Sequence, residues 1–231
     1  MTPTIRWRQE LSAAIGQPGE NEIHLWQADL DDPAPDCRTL FHVLSPPEQE
    51  RARRFVFEPD RWRYLVARAW LRSVLACYLK VTPHKVPLAT GAHGKPDIAA
   101  EFNRAGIEFN LSRCGRWALL AVTTKQAIGV DLQEALADDM WPAIARRCCT
   151  ADEWEHVQAL PSVMRAMVFS EIWTRKEAAG KAVGAGLTPE ILSLSVGPAD
   201  WGTVICGGGL SVWSLPTPNQ LPAAIAVRAS A

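Results

Sequence analysis

One helix-forming stretch places an acid, a base and an aromatic ring on a single face. The stretch is 169–187, FSEIWTRKEAAGKAVGAGL, which is rich in alanine and ends in glycines. Trp173, Glu177 and Lys181 recur at intervals of four, so their side chains stack along one side of the predicted helix. Most faces of this kind are solvated ion pairs, so a chemical role for this one depends on partners elsewhere in the chain.

The partners that the sequence offers suit a divalent cation and phosphate groups. Asp131 lies in the alternating strand pattern IGVDLQE at 128–134, although a lone aspartate near a strand end is commonly a turn residue. Together, Asp131 and Glu177 would supply hard oxygen ligands from two separate elements, as Mg²⁺ prefers. The nearby groups suited to phosphate are Lys95, Ser112, Arg113 and Lys181. Lys95, between a glycine and a proline, is expected on an exposed turn and is weak evidence by itself.

The most basic region of the chain falls in two predicted helices. The first opens at Ser45, where Glu48 completes a capping box, and the second spans about 60–79. Their arginines are Arg51, Arg53, Arg54, Arg61, Arg63, Arg68 and Arg72. Two interpretations stay open: a solvated amphipathic face, and a patch that binds phosphate.

The remaining patterns predict a mixed α+β chain. Strands are predicted at 22–28, 107–112, 117–123, 128–134, 191–196, 203–207, 210–215 and 223–229. A further helix opens at Thr150 with Glu153 as its capping-box acid, which gives Glu153 a structural explanation. Because strands and helices occur in both halves, we expect two α+β lobes in contact, residues 1–106 and 107–231.

Composition excludes several classes of protein. The 231 residues carry a net charge of −1, which gives no global attraction to nucleic acid or to an anionic membrane. No apolar run approaches the roughly 20 residues of a membrane-spanning helix. The six cysteines form no CxxC pair, so we expect the reduced thiols of a cytoplasmic protein and no zinc site. Walker-type, GxGxxG and GxSxG motifs are absent, which argues against the common nucleotide cradles and a serine hydrolase.

Four blocks of sequence resemble one enzyme family. GKPDI, FNLSRCGRWALLAVT, IGVDLQ and WTRKEAAGKAVGAGL, in that order, resemble the signature blocks of 4′-phosphopantetheinyl transferases of the surfactin-synthetase type. The blocks lie within about 45–187. The resemblance implies a pseudo-dimer of two similar α+β lobes, with the active site in the cleft between them. It also implies a monomeric enzyme that moves the phosphopantetheine arm of coenzyme A to a serine of an acyl- or peptidyl-carrier protein and releases 3′,5′-ADP.

The resemblance also implies a role for each candidate residue. Asp131 and Glu177 would bind Mg²⁺, and Glu177 would accept the proton of the carrier serine. Lys181 would contact the α-phosphate and protonate the departing 3′,5′-ADP. The groups that would hold coenzyme A are Arg51, at the 3′-phosphate, and Lys95, Ser112, Arg113 and Lys181.

Two positions depart from the family pattern. Arg113 stands where a histidine is usual, so we expect phosphate binding that is less dependent on pH. Gln133 stands where the family has a second acid after GVD, which leaves two carboxylates, with Gln133 or a water as third ligand and a weaker affinity for Mg²⁺. Glu134, one residue later, should point away from Asp131 because a strand alternates its faces.

Two alternatives to a competent transferase follow from the same residues. The missing acid at Gln133 would suit a catalytically weak module that binds coenzyme A or a carrier protein. The arginine-rich helices would suit a nucleic-acid binder, although the near-neutral charge and the lack of a recognised motif weigh against it.

Overall fold

The structure, a computed structural model, describes residues 3–8, 10–11, 15–32, 37–90, 95–137, 139–217 and 220–229. In chain order its strands and helices are β1 (Thr4–Arg8), β2 (Glu22–Asp29), α1 (Cys37–Val43), α2 (Pro46–Arg53), α3 (Glu58–Leu79), β3 (Leu88–Thr90), β4 (Pro96–Ile98), β5 (Ile107–Cys114), β6 (Trp117–Thr124), β7 (Ala127–Leu132), α4 (Trp141–Cys148), α5 (Ala151–Ala159), α6 (Ser162–Val183), α7 (Pro189–Leu192), β8 (Val204–Cys206), β9 (Leu210–Ser214) and β10 (Ala223–Arg228).

Two four-stranded sheets organise the chain. The first has the order β1-β2-β6-β5, and the second has the order β7-β10-β9-β8. Strand β1 runs parallel to β2, whereas the other neighbours in both sheets are antiparallel. In each sheet, an early strand pairs with the last strand of a hairpin that follows a long helix. The repeated order confirms the predicted pair of α+β units.

The sheets pack face to face, and each carries a long helix on its outer face. In β6, Leu119 and Ala121 point toward the second sheet, where they join Val130 and Ile225 in one buried cluster. The alternate residues of β6 point to the opposite face and pack in the cluster that contains apolar residues of α3. Helix α6 packs in the same way on the outer face of the second sheet. The layers are therefore helix, sheet, sheet and helix.

The hairpin of β5 and β6 belongs to the first sheet. Its strand β6 pairs with β2, with Gln27 opposite Leu119. The division predicted near Gly106 would assign this hairpin to the second lobe. In the structure, the chain leaves the first sheet after β6 and enters the second at β7.

Both long helices end as their sequences predict. Helix α6 begins seven residues before the predicted start, at Ser162, and ends before Gly184, whose φ of 76° places it in the left-handed region that glycine tolerates. Helix α3 ends at Leu79, and the residue after it, Lys80, has a φ of 56°. The predicted capping boxes are present at α2 and at α5.

One predicted strand is wrong. Residues 191–196 were expected to be extended, but helix α7 occupies the start of this segment. Thr188 caps that helix, since its hydroxyl accepts a hydrogen bond from the N–H of Ile191, and Pro189 takes the first helical position. The short cap therefore prevails over the β-branched and leucine-rich composition that favoured a strand.

No helix in the described part of the chain combines the length and apolarity needed to cross a membrane. The cysteine side chains that are described, Cys77, Cys114, Cys148, Cys149 and Cys206, are free thiols.

Candidate active site

Strand β7 lies against helix α6 because residue 129 has no side chain. A Cβ atom on Gly129 would stand 2.0 Å from the carbonyl oxygen of Ala178 and 2.5 Å from the backbone nitrogen of Ala182. Both distances are shorter than any real contact, so glycine is required for this approach. The approach brings Asp131, two residues further along β7, beside the C-terminal half of α6.

Asp131 and Lys181 form the centre of the site. The Nζ of Lys181 lies 2.5 Å from Oδ1 of Asp131 and 3.2 Å from the carbonyl oxygen of Val130. The hydroxyl of Ser112, on β5 of the first sheet, donates to the same Oδ1 at 2.9 Å. Asp131 and Ser112 are both buried. The carboxylate of Asp131 is thus held by a side chain of α6 and by a side chain of the first sheet.

Glu177 lies one helical turn before Lys181 and is half-buried. Burial raises the pKa of Glu177 above its ordinary value, the negative charge of Asp131 raises it further, and Lys181 lowers it. Among the described residues, none forms a hydrogen bond or an ion pair with the Glu177 carboxylate. The predicted face of α6 therefore presents an unengaged acid beside a second acid and an ammonium.

Three side chains of the first lobe hold the free edge of β7. The amide oxygen of Asn110 accepts from the N–H of Val130 at 2.9 Å, and the hydroxyl of Ser112 accepts from the N–H of Leu132 at 3.3 Å. Lys95 donates to the carbonyl oxygen of Ile128 at 3.1 Å. Asn110 was not among the predicted site residues. Its signal in the sequence is the spacing of two residues from Ser112, which places both side chains on one face of a strand.

Lys95 is not an exposed turn residue. Its side chain is half-buried, and its ammonium also donates to the carbonyl oxygen of Lys181 at 3.1 Å. Burial lowers the pKa of Lys95, whereas the charges of Glu108 and Asp97 raise it. The preceding residues 91–94, which were expected to form part of the turn, lie outside the described residues.

Most of the basic region is neutralised within the protein. The arginines with a carboxylate partner are Arg53 and Arg54 with Glu50, Arg61 with Glu58, Arg63 with Asp31, and Arg68 and Arg72 with Glu48. Within the described chain, Arg51 is the member of the set without one, and it lies over the ring of Tyr64 at 5.7 Å. The expected broad cationic patch is therefore reduced.

Arg113 lies near Arg51 and, like it, has no carboxylate partner among the residues that the structure describes. It lies at the end of β5 and reaches the surface. Partial loss of hydration lowers its pKa, and the positive charges of Arg68 and Arg51 lower it further. A pair of neighbouring guanidinium groups without an acid between them is suited to an anion.

Gln133 and Glu134 follow β7 directly. Gln133 is half-buried and donates its backbone N–H to the carbonyl oxygen of Pro222 at 3.0 Å. Glu134 is exposed, and its carboxylate lies near the hairpin turn, 3.1 Å from where a Cβ on Gly115 would stand. Across the described ranges, no three acidic, histidine or cysteine side chains are grouped to hold a metal ion. Within the described chain, neither Gln133 nor Glu134 therefore joins Asp131 and Glu177 as a third acid of such a group.

Comparison with known proteins identifies the family. Residues 127–221 match the model of the 4′-phosphopantetheinyl transferase superfamily, and residues 31–125 match that of the 4′-phosphopantetheinyl transferase N-terminal region. The 4′-phosphopantetheinyl transferase HetI of Nostoc sp. is 33% identical over 208 residues, which span 90% of this chain and 88% of HetI. The chain belongs to the 4′-phosphopantetheinyl transferase family of enzymes.

Other members of the family are more distant. The transferase Sfp of Bacillus subtilis is 29% identical over 66% of this chain and 66% of its own length. A human L-aminoadipate-semialdehyde dehydrogenase-phosphopantetheinyl transferase is 28% identical over 65% of this chain and 52% of its own length. Family membership confirms the resemblance seen in the sequence, the two-lobed α+β fold and the class of enzyme.

Proposed function

We propose that this enzyme transfers the 4′-phosphopantetheine arm of coenzyme A to a serine of an apo acyl- or peptidyl-carrier protein and releases 3′,5′-ADP. The observation that carries the proposal is the cluster of Asp131, Glu177 and Lys181 where α6 meets β7, beside Ser112 of β5. Two acids and an ammonium in one cluster suit a reaction at a diphosphate, where charge must be both held and moved.

The donor set fits a magnesium ion. Asp131 and Glu177 are hard oxygen ligands from different elements, and the charge of Asp131 raises the pKa of Glu177. A cation between them would relieve this repulsion, with Gln133 or a water as third ligand. Bound Mg²⁺ would offset negative charge on the pyrophosphate of coenzyme A.

Proton transfers are assigned to Glu177 and Lys181. Glu177 would accept the proton of the carrier serine as its oxygen bonds to the β-phosphorus. The bridging oxygen–phosphorus bond would break at the same centre, and the electron pair would leave with 3′,5′-ADP. Lys181, held by Asp131 and Ser112, is placed to contact the α-phosphate and to give a proton to that leaving group.

Arg51 and Arg113 would bind the phosphates of coenzyme A. The support is their proximity and their lack of an acidic partner among the described residues. A guanidinium at position 113 keeps its charge through the pH range in which a histidine would lose its own, so coenzyme A binding should vary less with pH than it would with a histidine there. Ser112, already bonded to Asp131, would contribute its hydroxyl at the same end of β5.

We further propose a cytoplasmic monomer whose two lobes meet at about residue 126. The two family models divide at that point, and so do the two sheets. A chain that contains both lobes can close its own site without a second copy.

The proposed function is tested by incubating the protein with apo carrier proteins, coenzyme A and Mg²⁺ and measuring the intact mass of the carrier. We expect a gain of one phosphopantetheine, lost when the carrier serine is replaced by alanine. Unchanged carrier mass across fatty-acid, polyketide and peptide carriers would contradict the proposal.

A catalytically weak coenzyme A or carrier-binding module is the second candidate, because Gln133 replaces an acid. Magnesium titration of wild type and Gln133→Glu separates the two. We expect wild type to turn over at saturating Mg²⁺ and Gln133→Glu to need less of it. Equal Mg²⁺ affinity in the two proteins would overturn the ligand role of position 133, and binding of coenzyme A without transfer would favour the module.

A further inference from the structure

Strand β7 is an edge strand whose outer edge is covered by side chains. Its inner edge pairs with β10 along its whole length. Alternate residues of a strand direct their N–H and C=O groups to the same edge, so residues 128, 130 and 132 share the outer one. Buried backbone groups left without partners there would cost free energy. Lys95, Asn110 and Ser112 supply the partners that a further strand would otherwise give.

Lys95 differs from the other two because it joins two elements of the second lobe. Its ammonium is 3.1 Å from the carbonyl oxygen of Ile128 in β7 and 3.1 Å from that of Lys181 in α6. The carbonyl of Lys181 lies in the last turn of α6, where carbonyls lack a helical partner and a cation is favourable. One ammonium thus ties the strand that carries Asp131 to the turn that carries Lys181.

The same geometry leaves little of Lys95 for a phosphate. An ammonium has three N–H donors, and two of them are directed at these carbonyls. Only the third N–H is left for a ligand. To donate a second hydrogen bond to that ligand, Lys95 would have to break its bond to β7 or to α6. Lys95 is half-buried, and the acidic charges of Glu108 and Asp97 act on its ammonium. The ammonium therefore interacts mainly with groups of the protein itself.

We infer that Lys95 is a positioning residue that fixes β7 against α6, and that it is not a principal ligand of coenzyme A. The inference rests on the proposed function, since the groups it positions are Asp131 and Lys181. Lys95 then acts on turnover and on Mg²⁺ binding through those two residues. The affinity for coenzyme A depends instead on the exposed guanidinium groups.

Replacing Lys95 by methionine tests the inference, because methionine keeps an unbranched stem and removes all three donors. We expect kcat to fall about 10- to 100-fold, as is usual for residues that orient metal ligands, with KM for coenzyme A changed less than about threefold. Half-saturating Mg²⁺ should rise by a similar factor to the fall in kcat. Lys95→Arg, which keeps donors, should recover part of the loss.

Hydrogen exchange gives a readout that does not depend on transfer. Loss of the Lys95 bonds should speed the exchange of the Val130 and Leu132 amides about five- to tenfold in the free protein, the scale of one hydrogen bond. Lys80→Met is the matched control: it removes a lysine bond to the carbonyl oxygen of Ile15, a contact within the first lobe, and should change neither kcat nor β7 exchange.

A ligand role for Lys95 predicts the opposite pattern. A rise of tenfold or more in KM for coenzyme A, with kcat and β7 exchange unchanged, would overturn the inference. If Lys95→Met does not fold, Lys95→Gln, which keeps one donor group, should show the same changes at smaller size. If wild type transfers nothing, the proposed function fails, and faster β7 exchange in the variants would still support the tie between β7 and α6.

Discussion

The two lobes use the same scaffold for different purposes. Helices α3 and α6 are each 22 residues long, each packs on the outer face of its sheet, and each ends at a residue in the left-handed region. Each is preceded by a shorter helix with a capping box, α2 in the first lobe and α5 in the second. The chain therefore repeats its local architecture as well as its strand order.

The repeat extends to a buried ion pair. In the first lobe the capping-box acid Glu48 accepts from Nε of Arg72 at 2.7 Å, and in the second Glu153 lies 2.9 Å from Nζ of Lys176. Both cations also donate to two carbonyls of the segment after the long helix. Each lobe thus anchors its shorter helix and its following segment to one charged residue of the long helix.

The lobes differ on the adjacent face. Counted back from the helix ends, Glu177 of α6 corresponds to Ser73 of α3, and Lys181 corresponds to Cys77. Ser73 and Cys77 bond to carbonyls of their own helix, those of Ala69 and Ser73. The second lobe carries an acid and a lysine at the same positions, and the lysine contacts Asp131 of β7. Both lobes thus share the architecture that stabilises them, whereas the acid and the ammonium proposed for catalysis lie in the second lobe.

Replacing the acid on that face should give the largest effect. We expect Glu177→Gln to lower the rate of transfer about 10²- to 10⁴-fold, since it removes the group proposed as proton acceptor and metal ligand. The corresponding change in the first lobe, Ser73→Ala, should leave the rate within about twofold. Carrier mass followed over time measures both. Near-normal transfer by Glu177→Gln would remove the difference between the lobes.

Replacing the ammonium should cost somewhat less. Lys181→Met removes one donor from the proposed leaving-group phosphate and leaves Asp131 with Ser112 alone, so we expect transfer to fall about 10²- to 10³-fold. Cys77→Ala, its counterpart in α3, should have little effect on turnover. Steady-state kinetics with saturating coenzyme A measure the turnover of both variants. Equal losses of turnover would contradict the assignment of the chemistry to α6.

The buried ion pairs should differ in stability. Lys176→Met leaves Glu153 buried without its ion-pair partner, which we expect to lower the free energy of unfolding by about 3–5 kcal/mol. Arg72→Met should cost less, because Glu48 keeps Arg68, whose Nε lies 2.8 Å away. Urea denaturation of both variants measures the difference. A larger loss in Arg72→Met would contradict this account of the pairs.

A smaller effect should appear in the pH dependence of the first lobe. Burial lowers the pKa of His24 from its ordinary 6.5, the charge of Arg8 lowers it further, and Glu22 opposes both. His24 is hydrogen-bonded to the hydroxyl of Tyr78 at 2.7 Å. Because the unfolded chain takes up this proton more readily, stability should be full above about pH 6.5 and fall as the pH drops below it.

Hydrogen exchange measured at about pH 7.5 and 5.5 shows which strands lose stability at the lower pH. Amides of β1 and β2 should exchange faster at the lower pH after correction for intrinsic rates, and those of β10 should change less. His24→Gln should reduce the difference. Equal acceleration in the two sheets would show that His24 is not responsible.

Local rules predicted the elements near the site, because caps, glycines and alternation act over a few residues. The box from Thr150 to Glu153 and the stop at Gly184 are both present in the structure. Asp131 and Lys181 were expected to lie in one site and are in contact. For Glu177, Arg51 and Arg113, the structure gives an environment, and their roles stay predictions.

What the sequence did not predict depends on contacts between distant segments. Arg68 and Arg72 read as members of a basic surface, but Glu48, on a different helix, neutralises both. Arg175 has Glu171 one turn away in the sequence, but in the structure it is buried and donates to carbonyls of 196–202. Lys95 gave no sign of the two carbonyls that it contacts. Such partners are set by tertiary packing, which local patterns do not encode.

The most direct test is the position of a metal ion in a crystal of the protein with coenzyme A and Mn²⁺, located by anomalous scattering. The account predicts one peak between Asp131 and Glu177, within bonding distance of an oxygen of each carboxylate and of the pyrophosphate. A peak that touches neither carboxylate, or a pyrophosphate bound away from Lys181, would contradict it.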